Sequence, residues 1–244
     1  MDRYKIFVQY DGTNFSGWQI QKEGRTIQGV LENRIMELFK SKARIQVFGS
    51  GRTDTGVHAW EQVAHVDLES NLSQTNLKNA INSRLPDDCK IIKLKKTNRN
   101  FHARYDAKKR HYRYQCYIGK SILFRNQCWI MKSLNLIELN QISNIIIGNH
   151  DFLSFSKYRK EYKNTFCTIY NCGWHKDGEL ITFTINANRF LHHMIRYLVG
   201  TMVAICQNRT TLNHFKSLLD RPAKEVKIFK APPQGLILEK IDFD

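Results

Sequence analysis

Gly51-Arg52-Thr53-Asp54-Thr55-Gly56-Val57-His58-Ala59 joins two apolar, strand-like segments: Ile45-Gln46-Val47-Phe48 before it and Gln62 to Leu68 after it. A loop that only reversed the chain would need roughly two to five residues. This one is longer, and it holds an arginine and a carboxylate two positions apart. Glycines at 49, 51 and 56 read as points of tight or positive-φ backbone. A neighbouring cation keeps a carboxylate ionised even when it is partly desolvated. Such a carboxylate can act as a nucleophile. An exposed hairpin with an incidental ion pair would also carry Arg-x-Asp. The length of the loop and its glycines favour a functional one.

Working outward, Lys5 to Tyr10 alternates as a strand and ends at Asp11-Gly12. Thr26 is placed to cap a helix with Ile27, Val30, Leu31, Ile35, Leu38 and Phe39 on one face. Ser73 opens a second helix, Pro86 stops it, and Cys89 to Leu94 is a strand. The order is β-α-β-β-α-β, the ferredoxin-like arrangement. The second half repeats it. A strand runs over Tyr112 to Ile118, and Leu136, Leu139, Ile142 and Ile146 mark a helix. A hairpin is closed near Lys176-Asp177-Gly178, a long helix runs from about Phe190 to Cys206, and a strand covers Leu236 to Ile241. The expected fold is α+β: two ferredoxin-like (RRM-like) units with mainly antiparallel sheets flanking a basic cleft. The expected bounds are 1–103 for the unit with the Asp54 loop and 104–244 for the RNA-binding unit.

The net charge of +16 points to a polyanionic partner. A generally solubilising lysine surface would give the same total, so clustering decides. From Arg99 to Lys132 there are nine Lys or Arg and one acid, Asp106. Phe101, Tyr105, Tyr112, Tyr114, Tyr117, Phe124 and Trp129 are interleaved with them. Cations for phosphates and rings for bases make an RNA-binding composition. No apolar run approaches the roughly 20 residues of a membrane helix. The N-terminus does not have the pattern of a signal peptide. The expected setting is cytoplasmic, away from membranes.

Six cysteines, at 89, 116, 128, 167, 172 and 206, form no C-x-x-C pair and read as buried thiols. His192-His193, read as helical, would point about 100° apart and share no metal. His150-Asp151 has the composition of a metal dyad but stands alone. No metal or cofactor is expected.

Four motifs resemble the tRNA pseudouridine synthase A family, in order and over nearly the whole chain. They are Tyr10-Asp11-Gly12-Thr13-Asn14-Phe15-Ser16-Gly17-Trp18-Gln19, the Gly51 to His58 loop, Phe101-His102-Ala103-Arg104 with Arg110-His111-Tyr112-Arg113-Tyr114, and Asn186 to Phe190 with His193-Met194-Ile195-Arg196 and Val199-Gly200. Thr55 departs from the family, many of whose members carry alanine there. The resemblance implies isomerisation of uridine to pseudouridine at positions 38 to 40 of the tRNA anticodon stem-loop, by a homodimer. It implies Asp54 as nucleophile, Arg52 as its partner and Tyr112 as the ring stacked on the target uracil. Arg196 would be a second positive charge near Asp54, and His58, Arg104 and Arg110 further substrate contacts. The carboxylate would either attack covalently or stabilise a cationic sugar.

Each of these residues has a structural alternative. Tyr112 shares its strand with Tyr114 and could be core. Arg196 lies on an apolar helix and could satisfy a buried acid. His58 could cap the loop. Two other functions fit part of the pattern. A non-catalytic RNA-binding protein of RRM-like units explains the charge and the rings, but not the carboxylate. A metal-dependent nuclease would need more acids near Asp54.

Overall fold

A computed structural model describes residues 1–159 and 164–244. The chain is a mixed α+β protein whose strand pairs are mostly antiparallel. It divides into two compact units: residues 1–108 with 237–244, and residues 109–236.

The first unit begins with β1 (Asp2–Tyr10), in which Tyr4, Ile6, Val8 and Tyr10 are buried in strict alternation. That period of two is what a strand with one covered face requires. Then follow α1 (Ile27–Phe39), β2 (Phe48–Gly49), β3 (His58–Leu68), α2 (Gln74–Asn82) and β4 (Cys89–Lys96). Strand β1 lies between β3 and β4, antiparallel to both, and β2 adds to the far side of β3. Thr26 caps α1, its hydroxyl accepting from the Gly29 amide, and Ser73 caps α2 in the same way. Ile27, Leu31 and Ile35 of α1 and Leu77 and Ile81 of α2 are buried. Burying each such side chain contributes roughly 1.5–3 kcal/mol.

Three local expectations change here. Ile45 to Val47 are not strand, and only Phe48 and Gly49 pair with β3. Val47 is nevertheless buried, so an apolar run need not be a ladder. Strand β3 starts at His58, earlier than Gln62, which takes His58 out of the loop. The final strand, β10 (Leu236–Asp242), also changes unit. From Ile237 it belongs to the first unit, where Ile237 and Leu238 run parallel to His58 and Ala59 of β3. Residues 104–108 join the first unit as well, the Lys108 amide donating to the Asp242 carbonyl. A 1–103/104–244 division misses both, because pairing between distant strands leaves no mark on composition.

The second unit contains β5 (Lys109–Tyr117), β6 (Trp129–Ile130), α3 (Leu136–Asn144), β7 (Gly148–Asp151), β8 (Phe166–Asp177), β9 (Leu180–Ala187), α4 (Met194–Cys206) and α5 (Leu212–Asp220). Its antiparallel order is β5-β9-β8-β7, and β6 pairs with β5 in parallel. The edge strand β7 absorbs His150 and Asp151 and was not expected from the sequence. The β8–β9 turn falls at Gly178-Glu179, where Gly178 supplies a φ of 56°. Helix α4 is buried almost all round. It begins at Met194, so His192 and His193 precede it rather than lie on it. Their rings stack 3.9 Å apart, and His193 has a φ of 66°. The six cysteines are free thiols, five of them buried, and burial pushes Cys89, Cys167 and Cys172 up to about 12. None of the described helices is long and apolar enough to cross a membrane.

Candidate active site

The Asp54 loop is fastened to β3 at its entry. The Ser50 amide and hydroxyl both donate to the Val63 carbonyl, at 2.8 and 2.7 Å, and the Gln62 side chain donates to the Gly51 carbonyl at 3.0 Å. The chain then turns at Asp54. The Val57 amide donates to the Asp54 carbonyl at 3.1 Å, and Gly56, third in that turn, has a φ of 76°. A type II turn needs positive φ at its third residue, which is why glycine stands there. The other two glycines differ. Neither has positive φ: Gly49 leaves room for the Trp18 ring, whereas a side chain at Gly51 would meet nothing within 4 Å and the structure gives no reason for glycine there.

The segment 10–19 forms the bed beneath this loop. The Tyr10 and Thr53 hydroxyls share a buried hydrogen bond of 2.8 Å. The Trp18 amide donates to the Thr53 carbonyl at 3.2 Å, and the Gly56 amide to the Phe15 carbonyl at 3.2 Å. A side chain on Gly12 would collide with the Val57 carbonyl, and one on Gly17 would start 2.5 Å from the Thr53 carbonyl oxygen. Backbone, hydroxyls and absent side chains together set the path of the loop from 53 to 57. Asp54 itself is half-buried, and its neighbours Arg52 and Thr55 are exposed.

Arg52 Nε donates to the Gln19 side chain at 3.2 Å. Gln19 donates to Gln28, and Gln28 donates to Glu32 and to the Val47 carbonyl. Gln28 and Glu32 are buried on α1, and Arg44 binds the outer oxygen of Glu32 at 2.7 Å. Burial of polar groups costs little when each is hydrogen-bonded, and this row ties the Arg52 side chain to a helix. The apolar periodicity of α1 leaves the polar Gln28 and Glu32 unaccounted for. The spacing of Gln28 and Glu32, one helical turn apart, was the available signal.

His58 is buried beneath the 11–13 turn. Its Nδ1 lies 3.0 Å from the Gly12 amide and 3.0 Å from an Asp11 oxygen. One nitrogen cannot accept and donate at once. The two contacts are therefore alternatives set by the tautomer: a bare Nδ1 accepts from the Gly12 amide, and an Nδ1–H donates to the Asp11 carboxylate. Burial opposes charge on Asp11, but bonds from the Thr13 hydroxyl and amide and from His58 hold its carboxyl below the usual range. His58 therefore links β3 to the bed, a part close to the loop-capping alternative. Arg104 is exposed in the first unit, its amide 3.2 Å from the His102 ring.

Tyr112, Arg110 and Arg196 lie in the second unit. Tyr112 is 8% exposed, faces the same side of β5 as Tyr114, and meets Phe190 edge-on at 5.3 Å. Tyr114 is fully buried and donates to the Pro232 carbonyl, so the two tyrosines differ in exposure along one face. Arg110 donates to the Asn188 carbonyl at 2.6 Å. Arg196 is 7% exposed in the first turn of α4. Its Nε donates to the Ala231 carbonyl, and the Ala231 amide returns a bond to the Arg196 carbonyl. A buried arginine fastened at its Nε has its remaining donors directed by the fold.

Comparison with known proteins gives these features a context. A family model described as tRNA pseudouridine synthase matches residues 6–106 and 142–244. Curated proteins called tRNA pseudouridine synthase A are similar over their full lengths. The one from Ehrlichia chaffeensis is 40% identical, covering 99% of this chain and 100% of that protein. Those from a Geobacillus species and Pseudothermotoga lettingae are 36% and 35% identical, covering 99% and 100% of this chain and 98% and 100% of theirs. Among solved structures, a chain of a Cbf5-Nop10-Gar1 complex aligns with a TM-score of 0.39 at 10% identity, over 96% of this chain and 57% of that one.

Proposed function

This chain belongs to the tRNA pseudouridine synthase A family, and from that premise we infer that it isomerises uridine to pseudouridine in tRNA. The N1–C1′ glycosidic bond breaks, the uracil turns in place, and C5 bonds to C1′. N1 gains a proton and C5 loses one, so the reaction is redox-neutral. Asp54 is the nucleophile in this reading, Arg52 the cation beside it, and Tyr112 the ring on the uracil. The sites are positions 38 to 40 of the anticodon stem-loop, and the working form is a cytoplasmic homodimer. The two units are ferredoxin-like. In the first, the order β4-β1-β3-β2 with antiparallel neighbours supports that description.

The observation that carries the assignment of Asp54 is the bed beneath it. A half-buried carboxylate is held in a turn whose flanking residues are bonded to one ten-residue motif. Catalysis by a fixed group requires such restraint. Extracting the target base from its stack costs a few kcal/mol, which stacking of roughly 1–3 kcal/mol per base and phosphate contacts offset. The test is to map pseudouridine in tRNA from cells with and without this chain. Loss confined to positions 38 to 40 is expected. Unchanged modification there would overturn the assignment.

A further inference from the structure

We propose that the Tyr10 hydroxyl is a positioning group for the reacting carboxylate. It acts through Thr53, and the inference rests on the reading of Asp54 as nucleophile. Tyr10 ends β1 with its backbone paired on both sides, to Ala59 of β3 and Cys89 of β4. Its ring is 4% exposed and lies 6.3 Å from the Trp18 ring. The hydroxyl thus projects from a strand end that is paired on both sides. Thr53, the residue before Asp54, is 7% exposed and held at two atoms: Oγ1 by Tyr10 and the carbonyl by the Trp18 amide. Beyond Asp54 the chain is held again, at the Val57 and Gly56 amides. The dihedrals that swing the Asp54 carboxylate therefore lie between fixed points. Releasing Oγ1 frees Thr53 to rotate about its remaining bond and carries the carboxylate with it. A displacement of about 1 Å at a reacting group can cost on the order of 10²-fold in rate.

A hydrogen bond that only satisfied two buried hydroxyls would look the same, so the test separates stability from rate. In Tyr10→Phe the Thr53 hydroxyl loses its partner. Single-turnover isomerisation should fall by about 10-fold or more, with tRNA affinity unchanged within about 2-fold. Thr53→Ser keeps the oxygen and should stay within about 3-fold of the wild-type rate. The double variant Tyr10→Phe/Thr53→Val removes both hydroxyls, so its melting temperature should return towards wild type. Its rate should stay low, because the tether is gone. Recovery of rate together with stability in the double variant would make the bond merely structural and overturn the proposal. An Asp54→Asn variant is run beside these. If it is inactive while Tyr10→Phe is fast, the positioning role alone falls. If it keeps its rate, the nucleophile reading falls and takes this inference with it.

Discussion

Gly17 and Thr53 approach so closely that a methyl group on Gly17 would begin 2.5 Å from the Thr53 carbonyl oxygen. The obstacle is backbone, not the end of a flexible side chain. Gly17 also has a φ of 86°, which L side chains avoid. Two independent penalties therefore meet at one residue. Gly17→Ala should lower unfolding free energy by roughly 1–3 kcal/mol. The residual folded protein should turn over slowly, because the Thr53 carbonyl must move. Denaturant titration and single-turnover rates on the same sample check both effects.

Asp54→Asn should abolish turnover and leave tRNA binding within a few fold. The amide keeps the shape of the side chain but neither its charge nor its nucleophilicity. A filter-binding titration beside a pseudouridine assay measures the two quantities. A variant that keeps a substantial fraction of the wild-type rate would refute the nucleophile role.

Tyr112→Phe and Tyr112→Leu should differ. Phe keeps the edge-on contact with Phe190, so the packing of the ring and tRNA affinity should hold. If the hydroxyl moves the C5 proton, the Phe variant slows by about 10²-fold or more. Leu loses the ring, and with it about 1–3 kcal/mol of stacking. Single-turnover rates for the two variants decide the matter, and normal rates in both would return Tyr112 to the core.

Acid should destabilise the first unit through His65. Burial, reinforced by the Arg3 charge, lowers its pKa from 6.5 to about 4. Its Nδ1 accepts the Ala103 amide at 3.1 Å, which also requires a neutral ring. The folded pKa lies below the unfolded one, so the unfolded chain binds the extra proton. This contribution is flat above about pH 6.5 and falls progressively towards pH 4, by roughly 2–3 kcal/mol in all. Unfolding free energies of wild type and His65→Gln between pH 7 and 4.5 should converge as pH falls. Parallel curves would assign the acid sensitivity elsewhere.

Arg104, Lys108 and Lys109 are exposed, whereas Arg110 is half-buried. Phosphate contact from the basic segment should therefore come chiefly from the first three. The logarithm of tRNA affinity should fall with log salt by roughly 0.7–0.9 per phosphate neutralised. Replacing Arg104, Lys108 and Lys109 together with glutamine should flatten that slope. An unchanged slope would place the RNA on another surface.

Much of the first unit follows from local chemistry. Alternation gave β1, and Thr26 and Ser73 announced α1 and α2, because caps and side-chain period act within a few residues. The Asp54 loop was legible for the same reason: a carboxylate, a cation and glycines lie together in nine residues. Ile45 to Val47 misled, since β-branched composition matches a strand whether or not a ladder partner is present.

What the sequence determined alone was the element order of the first half, the charge and the chemistry available at residues 52–58. What tertiary structure decided was how that chemistry is held. Tyr10 meets Thr53 across 43 positions, and Ile237 finds its place beside His58. The Arg52–Gln19–Gln28–Glu32 row closes only when α1 lies beside the loop. None of these contacts has a period or a composition of its own. Each depends on segments brought together by burial of apolar surface, which is non-directional and leaves the choice of partners to the packed whole.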